Sequence, residues 1–292
     1  MNRDNELSAP EKLLRAEKEI RLLKQKLERS ERNRAIMEDI KDNNQVLLKN
    51  VGAEIEAARL TIQQKNEELE RIYKDLAAEK EKSEDLLLNI LPHEIADELK
   101  ATQKVEPLYF DSVTVLFTDV KGFTKISAEL CVKDLIRELD SIFTRFDAIT
   151  EKHGIEKIKT IGDSYMCAGG IPTPNETHAV NAVLAAIEMQ KFMSELRSSR
   201  ELENKPFWEI RLGMHTGPVM AGVVGKRKFA YDIWGDTVNT ASRMESSGVA
   251  GRVNISQSTY LLVRDFFETE YRGKIMAKNI GEIEMYFVNG PK

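Results

Sequence analysis

The sequence predicts an α+β domain, an antiparallel or mixed sheet covered by helices, carried behind a long helical arm. Three observations predict it. Of the aromatic residues (11 Phe, 7 Tyr, 2 Trp), only Tyr73 lies before residue 105. Between Pro10 and Pro92 there is no proline and one glycine, Gly52. After residue 105, segments of period two and period 3.6 follow one another without the strict strand–helix alternation of a parallel sheet. The first third therefore lacks the large side chains of a core and the residues of turns. The chain reads as an arm over residues 1–91, a linking segment over 92–104 and a globular domain over 105–292.

The arm carries a heptad seam. Leu13, Ala16, Ile20, Leu23 and Leu27 are spaced alternately three and four apart. The same frame continues through Met37, Leu48, Val51, Ile55, Ala58, Ile62, Leu69, Ile72, Leu76, Leu86 and Ile90. A seam kept over about eleven heptads predicts a coiled coil. It also places Ser30, Arg34, Lys41, Asn44, Lys65, Glu79 and Ser83 at core positions, which weakens the coil while fixing register. Ser30 to Asn44 is the weakest stretch, where the coil can break or fold back. Charge alone would also permit a single solvated helix or a disordered linker; the unbroken seam argues against both. Proline disfavours helix in the residue before it, so Leu91-Pro92 should end the arm. His93 to Lys100 then reads as a short helix.

In the domain, Val113 to Phe117 is an apolar run of strand length, and Asp134 to His153 has helical spacing ending at Gly154. Ile155 to Thr160 and Tyr165 to Ala168 read as a hairpin punctuated by Gly162. A helix follows from Glu176 to Leu196. Trp208 to Met214 and Val219 to Val224 read as two strands, Asp236 to Ser246 as a helix, and Val253 to Ile255 as a short strand. Phe266 to Arg272 and Glu284 to Val288 complete the set.

Composition excludes several function classes. Net charge is -5, and residues 1–104 hold 20 of the 43 basic and 23 of the 48 acidic side chains. Neither part has the basic excess of a nucleic-acid binder. Lys226-Arg227-Lys228 reads as a solvated loop. Cys131 and Cys167 form no metal pattern or disulfide framework, which fits a reducing, cytoplasmic setting. No apolar run approaches the roughly 18 residues of a membrane span, and the N-terminus has no apolar signal region.

The chemistry-bearing residues cluster in a few short motifs. Asp119 in Leu116-Phe117-Thr118-Asp119-Val120-Lys121-Gly122-Phe123-Thr124 and Asp163 in Thr160-Ile161-Gly162-Asp163-Ser164 each close a short apolar run. A strand end can present a carboxylate to a divalent metal at such a place. Backbone N–H groups at Gly122, Phe123 and Thr124 should open a helix and can hold phosphate oxygens. Asn239 and Arg243 lie four apart on one helix face, after Tyr231-Asp232-Ile233-Trp234-Gly235-Asp236.

Together these segments, over residues 105 to 290, resemble the catalytic domain of the class III nucleotidyl cyclases, the adenylate and guanylate cyclases. The resemblance implies a ferredoxin-like βαββαβ core with additional strands. It implies that Asp119, Asp163 and the Val120 carbonyl hold two Mg²⁺ or Mn²⁺ ions, and that Asn239 orients the ribose while Arg243 neutralises charge at the α-phosphate. Lys159 and Asp232 match the positions that read the purine edge. A lysine can donate to adenine N1 and a carboxylate can accept from its N6 amine. Guanine reverses both polarities, and guanylate cyclases typically carry glutamate and a small or thiol residue there. The chain thus resembles an adenylate cyclase acting on ATP, with a guanylate cyclase or a catalytically silent dimerisation module as alternatives. Lys278 matches the lysine of the terminal phosphates, with Lys274 as its competitor. His215 belongs to a family motif but reads as structural. Residues 86–100 resemble the transducer segment that precedes many such domains. Because one chain holds both halves of the site, the resemblance implies a homodimer through coil and catalytic domain, with a separate sensor as a candidate partner.

Overall fold

A computed structural model of the protein describes residues 9–203, 205–225, 228–277 and 281–292. Contacts divide the chain between Glu81 and Lys82, and the two units are taken separately.

The first unit belongs to helix α1 (Ala9–Leu88), 80 residues with none buried. The helix runs through Ser30 to Asn44 without interruption. Nothing in this stretch breaks a helix: there is no proline, and the polar seam residues cost packing rather than backbone hydrogen bonds. The seam residues Leu13, Ile20, Leu23, Leu27, Leu48, Ile55, Ile62, Leu69 and Leu76 are all exposed.

The second unit opens with the last turns of α1. The helix ends at the expected proline, and α2 (His93–Thr102) restarts with Pro92 as its cap. Leu91, Ile95 and Ala96 are buried, so this turn is anchored by apolar packing. Lys100 Nζ lies 2.8 Å from Glu84 Oε1, tying α2 to the end of α1.

The domain then runs β1 (Leu108–Val120), α3 (Phe123–Glu129), α4 (Val132–Lys152), β2 (Glu156–Ile161), β3 (Ser164–Gly169), α5 (His178–Leu202) and β4 (Ile210–Val224). The strand order β2-β3-β1-β4 completes a ferredoxin-like βαββαβ core. Additional elements follow: β5 (Ala230–Trp234), α6 (Asp236–Ser246), β6 (Val253–Ser256), α7 (Gln257–Val263), β7 (Phe267–Ala277) and β8 (Gly281–Pro291). They extend the sheet to eight strands, with β5 pairing only with β4. Among the described residues only the β4–β6 pair is parallel. The expected α+β class is the one observed.

Two apolar layers flank the sheet. On one face Leu116, Leu212, Met214 and Ile255 pack with Phe146 and Ile149 of α4 and with Ala182, Ala186 and Met189 of α5. On the other, Val113, Val115, Phe117, Met166, Ala168 and Val219 pack with Ile95 and Ala96 of α2, Tyr231 and Ile233 of β5, and Ala241 of α6. The alternation along β1 sends odd-numbered residues to the α2/α6 face, so Asp119 follows Val115 and Phe117 there.

Three sequence expectations need correction. Trp208 to Met214 and Val219 to Val224 are not two strands, because β4 runs continuously through Thr216-Gly217-Pro218. Proline is tolerated in this central strand because β1 shifts register opposite it, between Phe110 and Val113. Strand β5 lacked a strand-length apolar run and was not expected. Helix α7 was also missed; it is short, and its start is set by Ser256, whose side chain accepts from Thr259 N.

Candidate active site

The antiparallel register of β1 and β4 sets Asp119 directly opposite Arg211. Their side chains meet: Arg211 Nη2 donates to Asp119 Oδ2 at 2.5 Å. Asp163 sits in the tight β2–β3 turn after Gly162, whose φ of 64° suits a residue without a side chain. Pairing of β3 with β1 carries that turn to the end of β1, where the backbone N–H of Val120 donates to Asp163 Oδ2 at 3.2 Å. Burial first, and then the adjacent Asp119, push the Asp163 carboxyl up from its ordinary range. Two carboxylates from distant segments therefore converge at one strand end. Among the described residues no three His, Cys, Asp or Glu side chains form a metal-ligand group.

A third carboxylate stands behind them. Glu245 of α6 is buried, 7% exposed, with Oε1 2.9 Å from Arg211 Nε. The two atoms are poorly aligned for a hydrogen bond, and neither has another partner. Burial and the Asp119 charge raise the Glu245 carboxyl to about 7, against the pull of Arg211. This contact exists because Gly213 lets α6 lie on β4: a Cβ there would sit 1.9 Å from the Glu245 amide. Sequence reasoning missed both residues. The available signals were an arginine inside a period-two apolar strand and a glutamate eight residues after Thr237, on the buried stripe of α6.

Lys159 and Asp232, 73 positions apart, are brought together. Lys159 Nζ donates to Asp232 Oδ2 at 2.5 Å, and Asp232 Oδ1 accepts from the Ile233 N–H at 2.9 Å. The pair bridges β2 and β5, which are not hydrogen-bonded neighbours.

Gly122 caps α3 with φ 77°, and the Lys125 and Ile126 amides bond back to its carbonyl. The Phe123 and Thr124 amides thus lie in the first turn, where a helix offers them no internal partner. The Phe123 ring packs edge-on against Trp208, leaving its backbone as the available part. Asn239 is exposed and Arg243 half-buried on α6; among the described residues neither side chain has a hydrogen-bond or ion-pair partner. Lys278 and the Lys226-Arg227 pair lie outside the described residues. Lys274 is exposed on β7, opposite Glu284.

Residues 105–290 match the family described as the adenylate and guanylate cyclase catalytic domain. The chain belongs to that family. A second match, described as heme NO binding associated, covers residues 13–99. The chain is 40% identical over 228 residues to the rat guanylate cyclase soluble subunit beta-2, covering 78% of this chain and 33% of that protein. It is 39% identical over 218 residues to a Mycobacterium tuberculosis adenylate cyclase, covering 74% of this chain and 48% of that protein. It thus spans a third to a half of these relatives. A guanylate cyclase domain from Catenaria anguillulae, solved with GTP, superposes with a TM-score of 0.59 at 35% identity, covering 63% of this chain and all of that one. Relatives named for either substrate type thus match this chain at similar identity, 40% and 39%.

His215 of the cyclase domain is held by Ser256 Oγ at 2.7 Å and Ser258 Oγ at 3.1 Å, and burial lowers it to about 4. No described helix is long and apolar enough to cross a membrane.

Proposed function

We propose that this protein is an adenylate cyclase, converting ATP to 3′,5′-cyclic AMP and pyrophosphate. The observation that carries the reading is the Lys159–Asp232 pair, which places an N–H donor and a carboxylate acceptor at one spot. That polarity suits adenine N1 and N6 and opposes guanine, where buried groups would be left unpaired.

Asp119, Asp163 and the Val120 carbonyl would hold two Mg²⁺ or Mn²⁺ ions. The donors fit: they are all oxygen, suited to a hard cation, and two crowded carboxylates have one guanidinium between them and Glu245. Bound there, the cations would supply Lewis-acid stabilisation to the attacking 3′-oxygen and the leaving pyrophosphate. The protein's own groups do the rest. The first-turn amides at Gly122, Phe123 and Thr124 would receive phosphate oxygens, and Arg211 would keep the Asp119 carboxylate aimed. Asn239 would orient the ribose and Arg243 would neutralise charge at the α-phosphate. Lys278 is proposed for the terminal phosphates.

Among the described residues Asn239 and Arg243 have no side-chain partner on the outer side of α6, while Glu245 on its inner side faces the Asp119 cluster. This supports composite sites in a homodimer, each taking carboxylates from one subunit and Asn239, Arg243, Lys159 and Asp232 from the other. The exposed seam of α1 supports a parallel coiled coil as the link between subunits. The arm's match to a heme NO binding associated segment supports a relay from a separate sensor, in a cytoplasmic setting.

The 40% identity to a guanylate cyclase subunit favours GTP as the second reading. Incubating purified protein with Mn²⁺ and ATP or GTP, then weighing the products, decides. Cyclic AMP from ATP is expected. Cyclic GTP-derived product in excess would overturn the substrate, and no product from either would mark a silent module.

A further inference from the structure

On the α2 face of the sheet, the buried Tyr231, the half-buried Glu156 and the exposed Glu94 have no part in the catalytic reading. Tyr231 is 6% exposed, and among the described residues its hydroxyl has no hydrogen-bond partner. An unpaired buried hydroxyl is costly, so its surroundings matter. Its ring belongs to the same apolar cluster as Leu91, Ile95 and Ala96 around α2, with Ile158 of β2 packed against it. The carboxyl groups whose charges reach the phenol are Glu156 on β2 and Glu94 on α2. Burial, and then Glu94, raise Glu156 to about 7. Glu94 also accepts from Thr173 Oγ1 at 3.2 Å.

The placement of these residues along their strands is informative. Tyr231 immediately precedes Asp232. Glu156 precedes Lys159 by three, which in a regular strand would put them on opposite faces. A register shift between Lys157 and Lys159 changes this: Glu156 pairs with Ala168 and Lys159 with Met166. Both partners belong to the α2-side core, so the bulge turns Glu156 and Lys159 to the same face. Strands β2 and β5 share no ladder, so their separation depends on side chains and on what packs behind them.

We propose that Tyr231 and Glu156 are positioning residues for base recognition, bracing β5 and β2 against α2 so that the placement of α2 sets the separation of Lys159 and Asp232. The proposal rests on the reading of those two as the base contacts. A small shift of α2 or β2 would offer the Tyr231 hydroxyl a carboxyl acceptor and would move Asp232 relative to Lys159. Helix α2 is tied to the end of α1 through Lys100 and Glu84, so the brace lies where the arm joins the domain.

The test uses the full chain with Tyr231→Phe, Glu156→Gln and, separately, Lys159→Ala. Turnover of ATP and GTP is measured, with affinities for 3′-deoxy-ATP and 3′-deoxy-GTP by calorimetry and melting temperatures as controls. Tyr231→Phe keeps the packed ring and should fold, while removing the hydroxyl that a shifted α2 or β2 would pair with a carboxyl. Each brace variant should shift the ATP:GTP preference about 2- to 30-fold, the span of a coupled network. The shift should vanish when Lys159→Ala is already present, because the brace acts through that lysine. Unchanged preference in folded brace variants, or the same shift with and without Lys159, would overturn the brace alone. If Lys159→Ala itself leaves the preference unchanged, the base-contact reading falls and the brace with it.

Discussion

Replacing Gly213 with alanine tests whether α6 is seated by the sheet. Gly213 lies on β4, opposite Phe117 of β1 and Asn254 of β6. A Cβ there would come within 1.9 Å of the Glu245 amide nitrogen and 2.2 Å of the Met244 carbonyl carbon. Comfortable contact needs about 3.5–4.0 Å, so α6 or the sheet must yield by roughly 1.5–2 Å. The obstacle is helix backbone, which cannot rotate away as a side chain would. Overpacking of this kind costs about 1–3 kcal/mol, with a few tenths offset by the lower entropy of the unfolded alanine chain. For a domain of this size that is a melting loss of about 2–12 °C. The effect on turnover should be larger than the effect on stability. Helix α6 carries Asn239 and Arg243, and a misplacement of about 1 Å can cost on the order of 10²-fold in rate. Calorimetric melting and a cyclisation assay on the same preparation read both. Gly52→Ala is the control, since nothing lies within 4 Å of that position and alanine favours helix. A Gly213→Ala protein that melts with the parent and cyclises within about twofold of its rate would refute the reasoning, because α6 would then not be positioned by this contact.

Four further outcomes are expected. Asp119→Asn or Asp163→Asn should abolish cyclisation while retaining the fold; wild-type turnover at saturating metal would sink the ligand assignment. Glu245 holds its proton to about 7 when folded but to about 4.5 when unfolded, so wild-type stability should fall as pH rises through that window, by up to about 3 kcal/mol. Glu245→Gln, measured with chelator, should flatten that slope and gain on the parent toward pH 8; parallel curves would dismiss it. Deleting residues 1–85 should lower activity at dilute protein, with recovery on concentration, and equal specific activity throughout would show the arm is not needed for assembly. Inactive Asp119→Ala and Asn239→Ala chains, mixed with exchange confirmed, should regain roughly a quarter of parental activity through mixed dimers with one intact site. Recovery no greater than the better single variant would place each site within one chain.

The parts legible in the sequence were those with long periodicity or a punctuating residue. Helix α1 was readable from its seam, α4 and α6 from helical spacing, and the β2–β3 hairpin from Gly162. Asp119 and Asp163 each end an apolar run, and they were readable as a pair through the resemblance of both segments to the cyclase motifs. Strand β5 was not readable, since its five residues are held by pairing with β4 rather than by propensity. The continuity of β4 was hidden because Gly217-Pro218 is a break signal locally and becomes a strand only opposite the β1 register shift. Arg211 and Glu245 escaped for another reason: their roles come from register and from a glycine that brings helix to sheet, neither of which has a local signature.

The charge balance around Asp119 links these findings to the chemistry. Arg211 lies between Asp119, to which it is hydrogen-bonded, and Glu245, to which it is merely adjacent, while Asp163 stands beside Asp119. With all three ionised the cluster is short of positive charge, and in a partly buried setting that shortage is expensive. Burial first, and then the neighbouring Asp119 charge, raise the carboxyls of Asp163 and Glu245, so protonation is a remedy the protein carries within itself. A polyanionic triphosphate alone would make the imbalance worse. On the proposed reading, nucleotide and divalent cations must therefore arrive at this strand end together, and Arg211 need not move for them. The Lys159–Asp232 pair is balanced by contrast, so on the same proposed reading the base end would select by hydrogen-bond polarity and the carboxylate end by charge.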